Sequence, residues 1–455
     1  MVKKIKALFV PQIFLIAFFL TAIIDFNSCT FGMLDGISTA APSKESAQKK
    51  KNWTFMVYMA ADNNLESAAL EDFNEMEAAD FDSSQMNVIV LFDRNDYKDC
   101  NDLDEWHGCR MYEIVRDVKG MNNEIRSRRI SCADLGIGLK HEAFLDMGSP
   151  KTLELFMKNV KTDYPAEHYG LFVWGHGTGY RNENSRKDKI RAVALDDGDD
   201  TFMENCVVAS AIKNGMDGEK LNLLAYDTCF ASELEVVYEF PEVAESFVGT
   251  QGIQVESGFN YTKVFSTTLS KSRDGKEAGK IIASVLSDDM KNDFPVIDLS
   301  EIKNVFSSFE SFASSAASFI SNDEIAEEIR ELVLSGTENF RSFESVSNPV
   351  YVNLASFADL LARKIPNLVS YKNNLISSIK KAVCFYAGTN ENIPLGVYFC
   401  SVDYANDLIM DFSPYYCNGN DLKNMCSFVK DSKSYVLTKE KKGTLMDRLF
   451  ENYDF

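Results

Sequence analysis

Apolar residues in this chain fall into two patterns: short unbroken runs, and longer segments in which they recur every three or four positions. The runs at 53–59, 86–92, 171–174 and 221–226 are almost wholly apolar and bounded by polar residues, as strands buried on both faces of a parallel sheet are, and 244–250 is read as a further strand. A weaker run at 111–115 predicts another strand after the polar loop 94–110. Between the runs, 65–78 places Leu65, Ala68, Ala69, Phe73 and Met76 at helical spacing, 150–160 follows Ser149 as a plausible helix cap, and 202–213 is a third helical segment. Strands alternating with helices predict an α/β fold around a mainly parallel sheet. Beyond residue 275 the pattern becomes helical, over 277–290, 302–320, 323–334, 353–368 and 371–383. There Val305, Phe306, Phe309, Phe312 and Phe319 form one apolar stripe, which is a core face. The run 395–400 predicts one further strand returning to the main sheet, and 407–430 mixes loop and helix. The expected organisation is therefore a sheet-bearing domain at 53–275 and a helical extension at 276–455.

The first 52 residues stand apart from this pattern. Lys3, Lys4 and Lys6 precede an apolar run from 7 to 24, the form of a secretory signal with a basic start. An uncleaved anchor is the alternative for residues 1–28, because 18 apolar residues are at the short end of a spanning helix. Either reading implies export, as a secreted or a surface-held protein, and leaves membrane attachment through the N-terminus open. Ser28-Cys29 makes Cys29 a lipidation candidate, and the Ser-, Ala- and Lys-rich stretch 29–52 reads as a tether.

Of the ten cysteines, setting aside Cys29 and Cys229 leaves eight, an even number suited to disulfides in an exported chain. Cys100 with Cys109 and Cys417 with Cys426 are the pairs suggested by proximity in sequence. The net charge of −21, from 68 acidic and 47 basic residues, argues against nucleic acid as a partner, which requires basic patches. His107, His141 and His168 have no partners at zinc-ligand spacing.

The candidate chemistry sits where two runs end. After 171–174 come Gly175, His176, Gly177 and Gly179; after 221–226 come Asp227, Thr228 and Cys229. Open parallel sheets build their sites at the carboxyl ends of strands, so an imidazole and a thiol released there could meet in one crevice. Such pairing is what a cysteine nucleophile needs, because a free thiol is only slightly ionised at neutral pH. Phe230, Leu234, Val237 and Tyr238 recur at helical spacing, which predicts a helix whose first turn holds Cys229 and whose dipole favours a thiolate. The N–H groups of Gly177 and Cys229 are candidate donors for an oxyanion. A nucleotide-binding use of the glycines fails, since Tyr180 stands where the third glycine of the dinucleotide fingerprint belongs. Asp196, Asp197, Asp199 and Asp200 surround Gly198 and are weak calcium candidates, without the spacing of an EF-hand loop. No cofactor is required, and calcium is left open.

Trp53-Thr-Phe-Met-Val-Tyr-Met-Ala-Ala-Asp-Asn-Asn-Leu65, Trp174-Gly-His-Gly177, Tyr226-Asp-Thr-Cys229, the segment 248–261 and Gly396-Val-Tyr-Phe399 occur in that order. With these pieces the chain resembles the clostripain-like cysteine peptidases of the caspase-like clan, over residues 53 to about 400. The resemblance implies a caspase-like three-layer sandwich, His176 and Cys229 as a catalytic dyad, and endopeptidase activity on proteins or peptides after Arg or Lys. It places Asp227 in the pocket for the P1 side chain. A second acid is expected just before the Gly-aromatic pair; here Ser257 precedes Gly258-Phe259, with Glu256 beside it. It also implies self-cleavage in the polar loop 181–191, where Arg186, Lys187, Lys189 and Arg191 are candidate processing sites. The alternative is a surface-anchored binding protein or adhesin that keeps the fold without activity.

Overall fold

The structure, a computed structural model, describes residues 50–95, 106–122, 124–179, 183–185, 188–190, 192–255, 257–290, 294–336, 339–340, 351–387, 393–399, 427–436 and 443–450. Its first strand, β1 (Lys51–Ala61), is buried from Trp53 onward and apolar there apart from Thr54, because both of its faces are covered. Phe55, Val57 and Met59 join a core with helix α1 (Glu66–Ala78). Met56, Tyr58 and Ala60 point the opposite way, into a core with helices α2 (Pro150–Asp163) and α3 (Asn205–Gly215). Alternation along one strand thus feeds two cores, which gives the three-layer α/β sandwich.

The remaining strands are β2 (Met86–Arg94), β3 (Gly108–Glu113), β4 (Arg128–Ile130), β5 (Ala166–Trp174), β6 (Glu183–Ser185), β7 (Asp188–Ile190), β8 (Ala192–Asp196), β9 (Thr201–Glu204), β10 (Leu221–Asp227), β11 (Ala244–Gly249), β12 (Pro295–Asp298), β13 (Asn339–Phe340), β14 (Tyr351–Asn353), β15 (Val383–Tyr386) and β16 (Gly396–Tyr398). Nine of them form the main sheet, in the order β15-β12-β11-β10-β5-β1-β2-β3-β4. The five central strands run parallel, and antiparallel pairs extend both edges. The other α-helices among the described residues are α4 (Leu234–Val237), α5 (Tyr261–Val264), α6 (Gly275–Met290), α7 (Ile302–Phe319), α8 (Asp323–Gly336), α9 (Leu354–Lys364), α10 (Val369–Ala382), α11 (Ser427–Asp431) and α12 (Leu445–Phe450). The predicted Phe stripe holds in α7 for Val305, Phe306, Phe309 and Phe312, which are buried, but not for Phe319, which ends the helix exposed.

Several elements differ from expectation. Strands β12 and β15 come from beyond residue 275 and complete one edge of the main sheet, so the sheet does not stop at the expected domain boundary. The strand predicted at 395–400 exists as β16, but it pairs with β14 in a separate three-stranded sheet and does not return to the main one. The helix expected from residue 202 starts only at Asn205, because Thr201–Glu204 pairs with β8 as β9. Cys109 is a free thiol, its Sγ donating to Asp93 Oδ1 at 2.9 Å, so it is not in the suggested pair with Cys100. Cys100, Cys417 and Cys426 lie outside the described residues, as do Cys29 and the rest of the signal and tether. Among the described residues no helix is long and apolar enough to cross a membrane.

Candidate active site

Strands β5 and β10 are parallel neighbours with Trp174 opposite Asp227. The Gly175 N–H donates to the Asp227 carbonyl at 3.3 Å. Both chains leave the same rim in step, so His176 and Cys229 emerge from adjacent strands, each two residues past that register pair. Contact between the two loops is close. A Cβ added to Gly177 would stand 2.6 Å from the Cβ of Thr228 and 2.7 Å from the Cys229 carbonyl oxygen. Only glycine lets these turns approach so nearly.

No helix starts at Cys229. Phe230 has φ +52°, outside the helical range, and α4 begins at Leu234. The N–H groups of Phe230, Ala231 and Ser232 donate to the carbonyls of Gly252 and Thr250, so the strap after β11 takes the bonds a helix would have used. Phe230, expected on a helix face, instead stacks on Tyr351 with ring centroids 5.0 Å apart. The thiol therefore lacks the dipole that the sequence pattern suggested. The Cys229 N–H has no acceptor among the described residues, as an oxyanion donor would. Gly177 makes an antiparallel bridge with Val193, which ties that turn to β8.

The thiol and imidazole are each part-buried and held by other groups. Cys229 Sγ accepts the Gln254 N–H at 3.3 Å and lies 3.8 Å from the Gln254 carbonyl oxygen. Burial pushes its pKa above the usual thiol value, although the Gln254 N–H pulls in the other direction. His176 Nε2 lies 2.7 Å from Asn64 Oδ1. Burial lowers the imidazole pKa, with Asp197 opposing. Both shifts favour the neutral forms of the thiol and the imidazole. No hydrogen bond joins the two side chains directly.

Asp227 is buried beneath this rim. Its carboxyl accepts from Gln254 Nε2 at 3.0 Å, the Phe259 N–H at 2.9 Å and the Tyr261 hydroxyl at 3.0 Å. Desolvation nevertheless raises its pKa to about 7. Asp72 of α1, which accepts from Trp174 Nε1 at 2.6 Å, is also pushed up, first by burial and then by Asp227. The two carboxyls meet at Gly258, whose φ is +58°. A Cβ there would lie 2.6 Å from Asp72 Oδ2 and 3.1 Å from Asp227 Oδ2. Neither acid forms an ion pair among the described residues. Ser257 is exposed beside this group, and Glu256 lies outside the described residues.

Among the processing candidates, Lys189 is on β7, paired with β6 in a short hairpin, while Arg186, Lys187 and Arg191 lie outside the described residues. Of the four aspartates following β8, Asp196 and Asp199 fall into carboxylate clusters, but their companions there are Asp62, Asp93 and Asp146. Asp197 and Asp200 are exposed and belong to neither cluster. Asn64, Asp72, Gln254 and these three aspartates escaped the sequence reading. They are ordinary polar residues whose roles come from partners far away in the chain.

A sequence profile described as the Clostripain family matches residues 57–436. Clostripain of Hathewaya histolytica is 29% identical over 234 residues, which are 49% of this chain and 43% of clostripain, so less than half of that relative's own length is covered. Among solved structures, an inactive zymogen C11 protease from Parabacteroides distasonis superposes with TM-score 0.56 at 17% identity, covering 80% of this chain and 97% of that one. A secreted C11 cysteine protease from Bacteroides thetaiotaomicron, in complex with an irreversible peptide inhibitor, gives TM-score 0.56 at 16% identity, over 84% and 99%. At these identities the shared property is the caspase-like fold.

Proposed function

The chain belongs to the clostripain family, and on that footing we propose that it is an exported cysteine endopeptidase that cuts peptide bonds after arginine or lysine. The observation that carries this reading is the register of Trp174 with Asp227, which brings the histidine turn and the cysteine turn together at one rim. Asn64 Oδ1 can only accept, so the proton of a neutral His176 sits on Nε2 and leaves Nδ1 as the base. The imidazole takes the Cys229 proton as sulfur attacks the scissile carbonyl carbon. The oxyanion is received by the Cys229 and Gly177 N–H groups. The imidazolium then protonates the departing amine, and water, activated by the same nitrogen, hydrolyses the thioester.

The preference for a basic P1 residue rests on Asp227 and Asp72. Two buried carboxyls without a cationic partner among the described residues form a well of negative potential, and a guanidinium or ammonium would hold both in their charged forms. Gln254 spans the nucleophile and this well, its N–H on Cys229 Sγ and its amide on Asp227 Oδ1. Entry of a P1 side chain requires that amide to yield. The basic start and apolar run of residues 1–28 support export, and Cys29 is the candidate for a lipid anchor. Self-cleavage within 181–191 fits the cationic residues of that loop.

The test is a comparison of purified wild-type and Cys229→Ala chains. The wild type should divide within 181–191 on standing and hydrolyse peptides with Arg or Lys at P1; the alanine variant should stay whole and inactive. A wild-type chain that is fully active while uncut would remove the processing step, and hydrolysis by the alanine variant would remove the peptidase reading.

A further inference from the structure

The strap after β11 carries its side chains in the reverse of the usual order for a surface segment. Gln254 turns inward, its N–H donating to Cys229 Sγ at 3.3 Å and its Nε2 to Asp227 Oδ1 at 3.0 Å. Its neighbours Ile253 and Val255 turn outward and are 39% and 43% exposed. A segment facing water ordinarily alternates the other way, apolar in and polar out. The arrangement is fixed on both sides: the Phe230 N–H donates to the Gly252 carbonyl at 2.8 Å, and the Gly258 N–H to the Val255 carbonyl at 3.0 Å.

Single exposed apolar side chains are ordinary on a protein surface. This pair is distinguished by its place, on either side of the residue that touches both the proposed nucleophile and the acid beneath it. A P1 side chain must pass Gln254 to reach Asp227 and Asp72, so it enters on the inward side of the strap. Side chains of an extended peptide alternate in direction. The residue before P1, at P2, therefore points outward, to the side on which Ile253 and Val255 stand. Directly opposed side chains on one face of adjacent extended segments have Cβ atoms about 4.5–5.5 Å apart, within contact.

We propose that Ile253 and Val255 form the subsite for P2, and that the preferred substrates are chains in which a branched apolar residue, Leu, Ile or Val, directly precedes the basic one. The inference rests on the proposed peptidase reading and adds a second position to its specificity. An apolar P2 side chain closes over the two β-branched side chains and removes them, and itself, from water. An amide or carboxylate in that place loses water to two hydrocarbon groups that offer it no hydrogen bond. Selection at P1 is thus by charge and at P2 by the hydrophobic effect, and Gln254 stands between the two subsites.

The experiment measures kcat/KM of the full chain on fluorogenic peptides with arginine at P1 and Leu, Val, Asn or Asp at P2. Leu and Val should exceed Asn, which is close to Leu in size, by about tenfold or more. In the double variant Ile253→Ser, Val255→Ser the Leu-to-Asn ratio should fall to about one. In the double variant Ile253→Lys, Val255→Lys the Asp-to-Leu ratio should rise at least about tenfold over wild type, a gain that misfolding cannot produce. Turnover by the wild type that is independent of the P2 residue overturns this inference alone, as does a Leu preference that survives both double variants. Turnover of none of the four peptides would overturn the peptidase reading and this inference with it.

Discussion

Asn64 illustrates how one residue decides which nitrogen does the work. In the proposed mechanism its carbonyl oxygen, 2.7 Å from Nε2, keeps the imidazole proton there and leaves Nδ1 as the base. Asn64→Ala should lower kcat by roughly tenfold to a hundredfold through a misdirected base, with KM little changed. Asn64→Asp keeps an acceptor but adds a charge that favours imidazolium, so the acid limb of the pH profile should move to higher pH. Unaltered kcat in both variants would show that the contact does not orient the base. Asp227 gives a second signature. With its pKa raised to about 7 by burial, the charged form that attracts a P1 cation is depleted about tenfold per pH unit below that point. Hence kcat/KM for an arginine peptide should rise with pH through about 7. A neutral-P1 peptide should show only the lower limb of His176, whose pKa lies below its usual value. Asp227→Asn should cost basic substrates about 10- to 100-fold and erase the upper limb. Identical profiles for the two substrate types would remove Asp227 from the pocket. Cys229 and His176 stood out in the sequence as candidates because their chemistry is uncommon, and the glycine at 177 does mark a close approach of the two turns. Asn64, Asp72 and Gln254 did not, since their significance depends on partners 112, 102 and 27 residues away in the chain: His176, Trp174 and Asp227.

At the scale of elements, the strands were legible and their surroundings less so. Residues 53–59, 86–92, 171–174 and 221–226 are buried except for half-buried Asn222, and Thr54, Asn87 and Asn222 each interrupt a run only once. The nucleophile turn was misjudged because Phe230, Leu234, Val237 and Tyr238 fit a helical period, whereas Phe230 spends its ring on Tyr351, over a hundred residues downstream. Periodicity records which residues are apolar, not which partner claims them. Strands β12 and β15 were missed for a related reason: each is four residues long and follows or precedes a helix directly. The close passage of the histidine turn and the cysteine turn yields its own prediction. Gly177→Ala would push a methyl group against Thr228 and the Cys229 carbonyl, so the turns must separate. Displacements near 1 Å cost about a hundredfold in rate, and kcat/KM should fall by that order while the melting curve stays cooperative. An alanine variant of full activity would mean that the two turns do not act together.

For the whole molecule, the three-layer plan followed from alternation of strands and helices, and the order of the main sheet followed from nothing in the linear text. Register between β5 and β10 joins residues 53 positions apart, and only the packing of two cores selects it. The same long-range assembly gathers Asp62, just after β1, with Asp93 of β2 and Asp196 of β8. Residues of the extension return to the sheet at its β12–β15 edge, so the extension belongs structurally to the part that bears the site. The proposed chemistry depends on that assembly bringing one thiol and one imidazole into a shared centre. Its most direct test is the turnover of a fluorogenic peptide with arginine at P1 by wild type, Cys229→Ala and His176→Ala, each checked for folding. Loss of at least about a thousandfold in both variants is the predicted result; turnover near the wild-type rate in either one would contradict it.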